Sequence, residues 1–137
     1  MHGKTKIIFN TNIWVSFTIG KRLDKLRYFL YNKHFEVYIC DRIIEEYLTV
    51  VKRKKIAKYI TTMRVSETLE IIKMTTTKVK ISKSHLKYSR DKNDDFLLLL
   101  SDKVNANYLV TGDDDLLVMK KHSETDIINF EHLTRII

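Results

Sequence analysis

The chain has 137 residues, of which 44% are apolar and 31% charged, so we treat residues 1–137 as a single globular domain. Its apolar runs fall short of the roughly 20 residues that span a membrane, and its N-terminal residues lack an export signal, so we expect a cytoplasmic protein. One cysteine, Cys40, excludes an intramolecular disulfide, and the scattered histidines lack the spacing of zinc ligands. The net charge of +8 favours a polyanionic partner, of which nucleic acid is the commonest.

In the first part of the chain, short apolar runs alternate with stretches of helical periodicity. Thr5–Phe9 is predicted to be a buried strand because its apolar run ends abruptly at the polar Asn10. Arg22–His34 has the apolar spacing of a helix. Phe35–Cys40 alternates and is rich in aromatic and β-branched residues, which predicts a second strand. Asp41 is expected to be the N-cap of the helix that follows.

The rest of the chain continues this alternation. The predicted elements are a helix at Ser66–Met74, a strand at Thr75–Ile81, a polar loop at Ser82–Asn93, a helix at Asp95–Val104, a strand at Tyr108–Thr111, a short helix at Asp115–Met119, a strand at Asp126–Phe130 and a last helix at Glu131–Ile137. Strands that alternate with helices indicate an α/β domain with a mostly parallel sheet. The apolar run Phe96–Leu100 is expected to be buried, because its five residues each contribute roughly 1.5–3 kcal/mol on burial.

Polar and acidic residues are predicted to meet at one edge of this sheet. Asn10 follows the first strand and Asp113 the fourth, while Glu46 and Asp95 lie in early turns of helices. In a parallel sheet, strand ends and helix starts share the edge where sites form. Carboxylate oxygens there suit Mg²⁺ or Mn²⁺. The competing interpretation is that each acid alone is a cap, a turn residue or part of a solvated face.

Three stretches of the sequence form a recognisable pattern, namely IIFNTNIWVS, IIEEYLTVV and RDKNDDFLLLLSDKVNANYLVTGDDDLL. In this order, and over nearly the whole chain, they resemble the motifs of PIN-domain ribonucleases, and most closely those of the VapC-like toxins of bacterial toxin–antitoxin pairs. The resemblance implies a three-layer α/β/α sandwich with a central, mostly parallel sheet. It also implies endonucleolytic cleavage of RNA that depends on Mg²⁺ or Mn²⁺.

The resemblance assigns site residues by position. Glu46 matches the family's second acid, Asp95 the third and Asp113 the fourth. Asp115 matches an auxiliary acid, and Asn12 and Thr111 match polar residues that orient the cluster. Two neighbouring acids remain open alternatives, namely Asp94 for the third position and Glu45 for the second.

Asn10 departs from the pattern, because the family has aspartate at the position of its first acid. Asparagine offers one neutral carbonyl oxygen and an NH₂ donor in place of two anionic oxygens. We therefore expect a catalytically impaired chain, with Asn10, Glu46, Asp95 and Asp113 as metal-site residues. The alternative is a PIN-like module that binds RNA without cleaving it. A receiver-like signalling domain is a distant third, since the middle strands do not end in a phosphoacceptor aspartate.

Candidate partners follow from the charge and from the resemblance. Phosphate contacts are expected from basic side chains, namely Lys52, Arg53, Lys54, Lys55 and Arg90. Each of these alone is equally well explained as part of a solvated surface. The family also suggests a cognate antitoxin protein and a homodimer.

Overall fold

The computed structural model describes residues 3–20, 23–81 and 94–137. Its strands are β1 (Thr5–Phe9), β2 (Phe35–Ile39), β3 (Thr76–Lys78), β4 (Tyr108–Val110), β5 (Lys121–His122) and β6 (Thr125–Ile128). Its helices are α1 (Thr11–Ile19), α2 (Leu23–Tyr31), α3 (Asp41–Val51), α4 (Lys54–Ala57), α5 (Thr62–Thr75), α6 (Asp95–Val104), α7 (Asp114–Leu117) and α8 (Phe130–Ile136). None of the helices in these ranges is long and apolar enough to cross a membrane.

The strands form one sheet in the order β3-β2-β1-β4-β6-β5, with helices on its faces, so the predicted three-layer α/β/α sandwich is confirmed. β1 lies at the centre and pairs in parallel with β2 on one side and β4 on the other. All other pairings are parallel except β5 with β6. The carboxyl ends of the parallel strands therefore meet at one edge, which we call the acidic rim and define by Asn10, Glu46, Asp95 and Asp113.

The central strands and α6 form the middle of the core. Ile7, Ile8 and Phe9 of β1 are fully buried, as befits a parallel strand covered on both faces. In the predicted buried run of α6, Leu97, Leu98 and Leu100 are fully buried, whereas Phe96 and Leu99 are half-buried. α6 therefore holds its N-terminal residues on a rigid part of the fold.

Some predicted boundaries were wrong. Asp41 is not an N-cap: Cys40 occupies that position without a side-chain bond, and Asp41 instead forms an ion pair with Lys78 at 3.2 Å. The helix predicted at Ser66–Met74 begins earlier, because the Thr61 side chain caps it by accepting the Arg64 N–H. β3 is shorter than predicted, and the strand predicted at Asp126–Phe130 is β6, which ends at Ile128 because α8 begins at Phe130. β5 and its hairpin with β6 were not predicted. The predicted loop at Ser82–Asn93 lies outside the described residues.

Candidate active site

Asn10 joins the ends of the two central strands. Its backbone N–H donates to the carbonyl of Val110 at 2.9 Å, and its side-chain Nδ2 donates to Oγ1 of Thr111 at 3.0 Å. Both side chains are buried, and Thr111 has no exposed surface. The predicted juxtaposition of Asn10 and Thr111 at one strand edge is therefore a direct hydrogen bond.

Asn10 is also the N-cap of α1. Its backbone is extended, and its Oδ1 accepts the N–H of Thr11 at 2.7 Å. Asparagine and aspartate are comparable N-caps, because each provides an oxygen acceptor to an unpaired helix N–H. The cap alone thus does not require the amide at position 10.

Glu46 approaches this cluster through Thr11. The Thr11 hydroxyl donates to Oε1 of Glu46 at 3.5 Å, the upper limit for a hydrogen bond. Glu46 is half-buried, whereas the neighbouring Glu45 is exposed. Burial raises the pKa of the Glu46 carboxyl, and the charge of Arg42, the Thr11 hydroxyl and the charge of Arg53 counteract that rise. Burial therefore makes the charged form of Glu46 costly, and nearby positive charge lowers that cost.

A buried hydroxyl cluster fixes the orientation of α3, which carries Glu46. Oγ1 of Thr18 lies 2.5 Å from the hydroxyl of Tyr47 and 2.9 Å from that of Thr68, and it donates to the carbonyl of Trp14. Tyr47 has no exposed surface. Because Tyr47 follows Glu46 directly, the bonds that hold Tyr47 between α1 and α5 also set the direction of the Glu46 side chain.

Asp113 lies two residues beyond Thr111. Its backbone N–H donates to Oγ1 of Thr111 at 3.0 Å, and its own Oδ1 accepts the N–H of Asp115 at 3.0 Å, which makes Asp113 the N-cap of α7. Asp115 is exposed in the first turn of that helix. Nδ2 of Asn12 lies 3.2 Å from where a Cβ on Gly112 would stand, so glycine allows this turn to approach α1 closely.

Asp95 is buried in the first turn of α6, and Asp94 is half-buried in the preceding cap position. The guanidinium of Arg42 lies 4.8 Å from the centre of the Phe96 ring, so the first turns of α3 and α6 are neighbours. This contact brings the helix of Asp95 next to that of Glu46. It does not decide between Asp94 and Asp95 as the third acid.

The oxygen donors of the acidic rim are of the kind that Mg²⁺ and Mn²⁺ prefer. In the described part of the chain, however, no three His, Cys, Asp or Glu side chains lie close enough to hold a metal ion. A series of hydrogen bonds runs from the Glu46 carboxylate through Thr11, Asn10 and Thr111 to the backbone N–H of Asp113, with the neutral Asn10 in its middle. The residues present thus match a divalent cation in donor type, and Asn10 offers a neutral amide oxygen among the carboxylates.

The basic residues predicted to contact phosphate lie mostly together. Lys52, Arg53, Lys54 and Lys55 are all exposed, around the start of α4. Arg90 lies outside the described residues.

Comparison with known proteins shows the family of this chain. The model of the PIN domain matches residues 6–115, which is most of the chain. The chain belongs to the PIN domain family. A solved structure with a similar fold is that of VapBC2 from Rickettsia felis bound to a DNA fragment from their promoter. That structure has 20% sequence identity and a TM-score of 0.58, with 91% of this chain and 98% of the other covered. No curated protein matches the chain.

Two features of this PIN domain were missed from the sequence. The first feature is Arg42, whose positive charge lowers the pKa of Glu46. Arg42 precedes Glu46 by one helical turn, a spacing that is visible in the sequence. The second feature is the contact of the Thr11 hydroxyl with Glu46, which depends on how α1 and α3 pack. The roles of the acids themselves remain predictions.

Substituting Glu46 with glutamine is expected to stabilise this PIN domain at neutral pH in the presence of a chelator. Because the folded-state pKa of Glu46 is raised, its contribution to stability is full below the ordinary glutamate pKa and is lost as the pH rises through the folded value. The advantage of Glu46→Gln should therefore grow from acid to neutral pH in urea denaturation. Glu45→Gln, at an exposed position, is the matched control. A stability difference that does not change with pH would contradict the buried position of Glu46.

Proposed function

We propose that this chain is an endoribonuclease of the PIN toxin type that depends on Mg²⁺ or Mn²⁺, and that Asn10 keeps its activity low. The observation that carries the proposal is the set of contacts that joins Glu46 to Asp113 through Thr11, Asn10 and Thr111. They link α3, which carries Glu46, to the ends of β1 and β4 and thereby support a shared site at this edge of the sheet. Membership of the PIN domain family supports hydrolysis as the chemistry of that edge.

The roles of the residues follow from their chemistry. The carboxylates of Glu46, Asp95 and Asp113 and the side-chain oxygen of Asn10 are the ligands proposed for the cation, and Asp115 is an auxiliary acid. When bound, the cation supplies an activated water and neutralises charge on the phosphate. Thr111 orients Asn10 and the Asp113 backbone, and Asn12 supports the turn at Gly112. Lys52, Arg53, Lys54, Lys55 and Arg90 are proposed to contact the RNA backbone.

The proposed biological setting is a cytoplasmic toxin–antitoxin pair. The similar solved structure is a VapBC2 complex, which supports an antitoxin protein as the partner. A homodimer and an RNA substrate complete the proposal. All three partners are carried over from the family.

A non-cleaving PIN module that binds RNA is the second candidate. Two observations favour it: the neutral Asn10 in the middle of the rim, and the lack of a three-ligand acidic group among the residues that the structure describes. The two candidates agree on RNA binding and differ only in whether a phosphodiester bond is broken.

Product analysis separates these candidates. Attack by water breaks the bond between phosphorus and the 3′ oxygen, so one fragment ends in a 3′-hydroxyl and the next begins with a 5′-phosphate. We expect these ends, and only with Mg²⁺ or Mn²⁺ present, for both the chain as written and Asn10→Asp, with a much slower reaction for the former. Cyclic 2′,3′-phosphate ends or cleavage in excess chelator would contradict the mechanism. Binding without products by both proteins would favour the second candidate.

A further inference from the structure

A strongly basic surface lies at the corner between α3 and α5, and its purpose is not explained by the fold. We call it the basic corner and define it by its exposed cations, namely Lys52, Arg53, Lys54, Lys55 and Lys58. None of the five forms an ion pair with any acid in the described ranges. Five neighbouring cations repel one another, which is a cost that a polyanion offsets.

Tyr59 projects from this corner as a large exposed aromatic side chain, with 62% of its surface accessible. The position of its backbone is fixed, because its N–H donates to the carbonyl of Ile56 at 2.9 Å. Ile56 and Ile60 on either side pack against the core. The ammonium of Lys58 lies 5.2 Å from the centre of the Tyr59 ring. An aromatic ring held in place beside a cation is a suitable surface for stacking a nucleobase.

The basic corner begins where α3 ends. Lys52 and Arg53 directly follow this helix, which also carries Glu46 of the acidic rim. The Arg53 N–H donates to the carbonyl of Val50 at 3.1 Å, so the corner is attached to the end of the same helix. A strand bound along the corner therefore lies beside the element that carries one of the acids.

We propose that the basic corner binds single-stranded RNA, with one unpaired base stacked on Tyr59 and the flanking phosphates on Lys52–Lys55 and Lys58. This inference rests on the proposed function, because it treats the bound strand as the one whose phosphate reaches the acidic rim. A base in a duplex is stacked on its neighbours and cannot present its face to Tyr59. Single strands are therefore favoured over duplexes of the same sequence.

The test is equilibrium binding in excess chelator, so that no cleavage takes place. The probe is a fluorescein-labelled oligouridine of about 12 nucleotides, compared with its duplex with oligoadenosine and with oligodeoxyuridine. Tyr59→Ala is expected to weaken binding of the single strand roughly tenfold, and Tyr59→Phe to leave it nearly unchanged, because stacking needs the ring and not the hydroxyl. Tyr31→Ala is the matched control, since Tyr31 is 56% exposed on α2.

A second measurement tests the phosphate contacts. Lys58→Ala should lower the slope of log affinity against log salt by about 0.7, the value for one phosphate contact of a single strand. Lys33→Ala is its control, because Lys33 is exposed just before β2, at the opposite edge of the sheet from the rim. Both probed residues are exposed, and unchanged thermal unfolding of the variants verifies their folding.

The outcomes separate this inference from the proposed function. Loss of binding in Tyr59→Ala supports the inference even if Asn10→Asp cleaves nothing, in which case only the nuclease proposal fails. Unchanged binding in Tyr59→Ala, equal affinity for the duplex, or a stable complex with a protein but none with RNA would overturn the inference. Equal affinity for oligodeoxyuridine would overturn its restriction to RNA.

Discussion

Replacing Asn10 with aspartate is expected to raise divalent-dependent RNA cleavage by roughly 100-fold or more, the effect typical of one charge-stabilising group in a catalytic site. The substitution adds a carboxylate between Thr11, whose hydroxyl contacts Glu46, and Thr111, whose hydroxyl accepts the backbone N–H of Asp113. An anionic oxygen is a much stronger ligand for Mg²⁺ than the neutral amide oxygen. Initial rates on a labelled RNA, measured for Asn10→Asp and for the chain as written, give the comparison.

The surroundings of position 10 are compatible with a carboxylate. The Thr111 hydroxyl, which now accepts a hydrogen bond from Nδ2, still has its own proton and can donate it to an aspartate oxygen. The other carboxylate oxygen can accept the Thr11 N–H and keep the cap of α1. Asn10→Asp should therefore fold normally, and Mn²⁺ should raise its Tm more than that of the chain as written.

Two controls make this result interpretable. Adding Asp113→Asn to Asn10→Asp should remove the activity gained and keep the cap of α7, because asparagine also caps helices. Asn10→Ala should cleave no faster than the chain as written. If Asn10→Asp binds Mn²⁺ and still cleaves no faster than the chain as written, the absent first carboxylate is not what limits activity.

Substituting Leu98 with alanine is expected to destabilise the fold by about 2–5 kcal/mol, the usual range for removing a buried leucine side chain. Leu98 is fully buried on α6, the helix whose first turn holds Asp95. Loss of the Leu98 side chain leaves a cavity beneath α6, the helix that carries Asp95. Urea denaturation measures the change in the free energy of unfolding.

Leu99→Ala is the matched control, because it removes the same atoms from the next position of the same helix. Leu99 is only half-buried, so its substitution should cost clearly less than that of Leu98. Equal losses for the two variants would contradict the orientation of α6 in the core.

The sequence predicted the fold well where hydrophobic pattern alone decides it. β1 and α6 have the predicted boundaries, and the parallel pairing of the strands follows from the alternation of strands and helices. The approach of Asn10 and Asp113 at one edge was predictable for the same reason, since both follow central strands, and Thr111 joins them.

Features that depend on packing were not predictable. Asp41 has a side chain suited to capping, yet Lys78 on β3 competes for it by an ion pair that no local rule reveals. The β5–β6 hairpin consists of very short strands, and Lys120 and Ser123 adopt positive φ without glycine. The link from Thr11 to Glu46 depends on the hydroxyl cluster of Thr18, Tyr47 and Thr68, whose members are far apart in sequence.

The hydroxyl of Thr111 has an evolutionary consequence. Because it can either accept from an amide or donate to a carboxylate, no second substitution is needed when position 10 changes. Codons of asparagine and aspartate differ by a single base, so we expect that one mutation can restore aspartate at position 10 and, with it, cleavage. Slow hydrolysis of the Asn10 amide in stored protein would have the same effect. We therefore expect any trace cleavage to increase with the deamidated fraction seen by mass spectrometry.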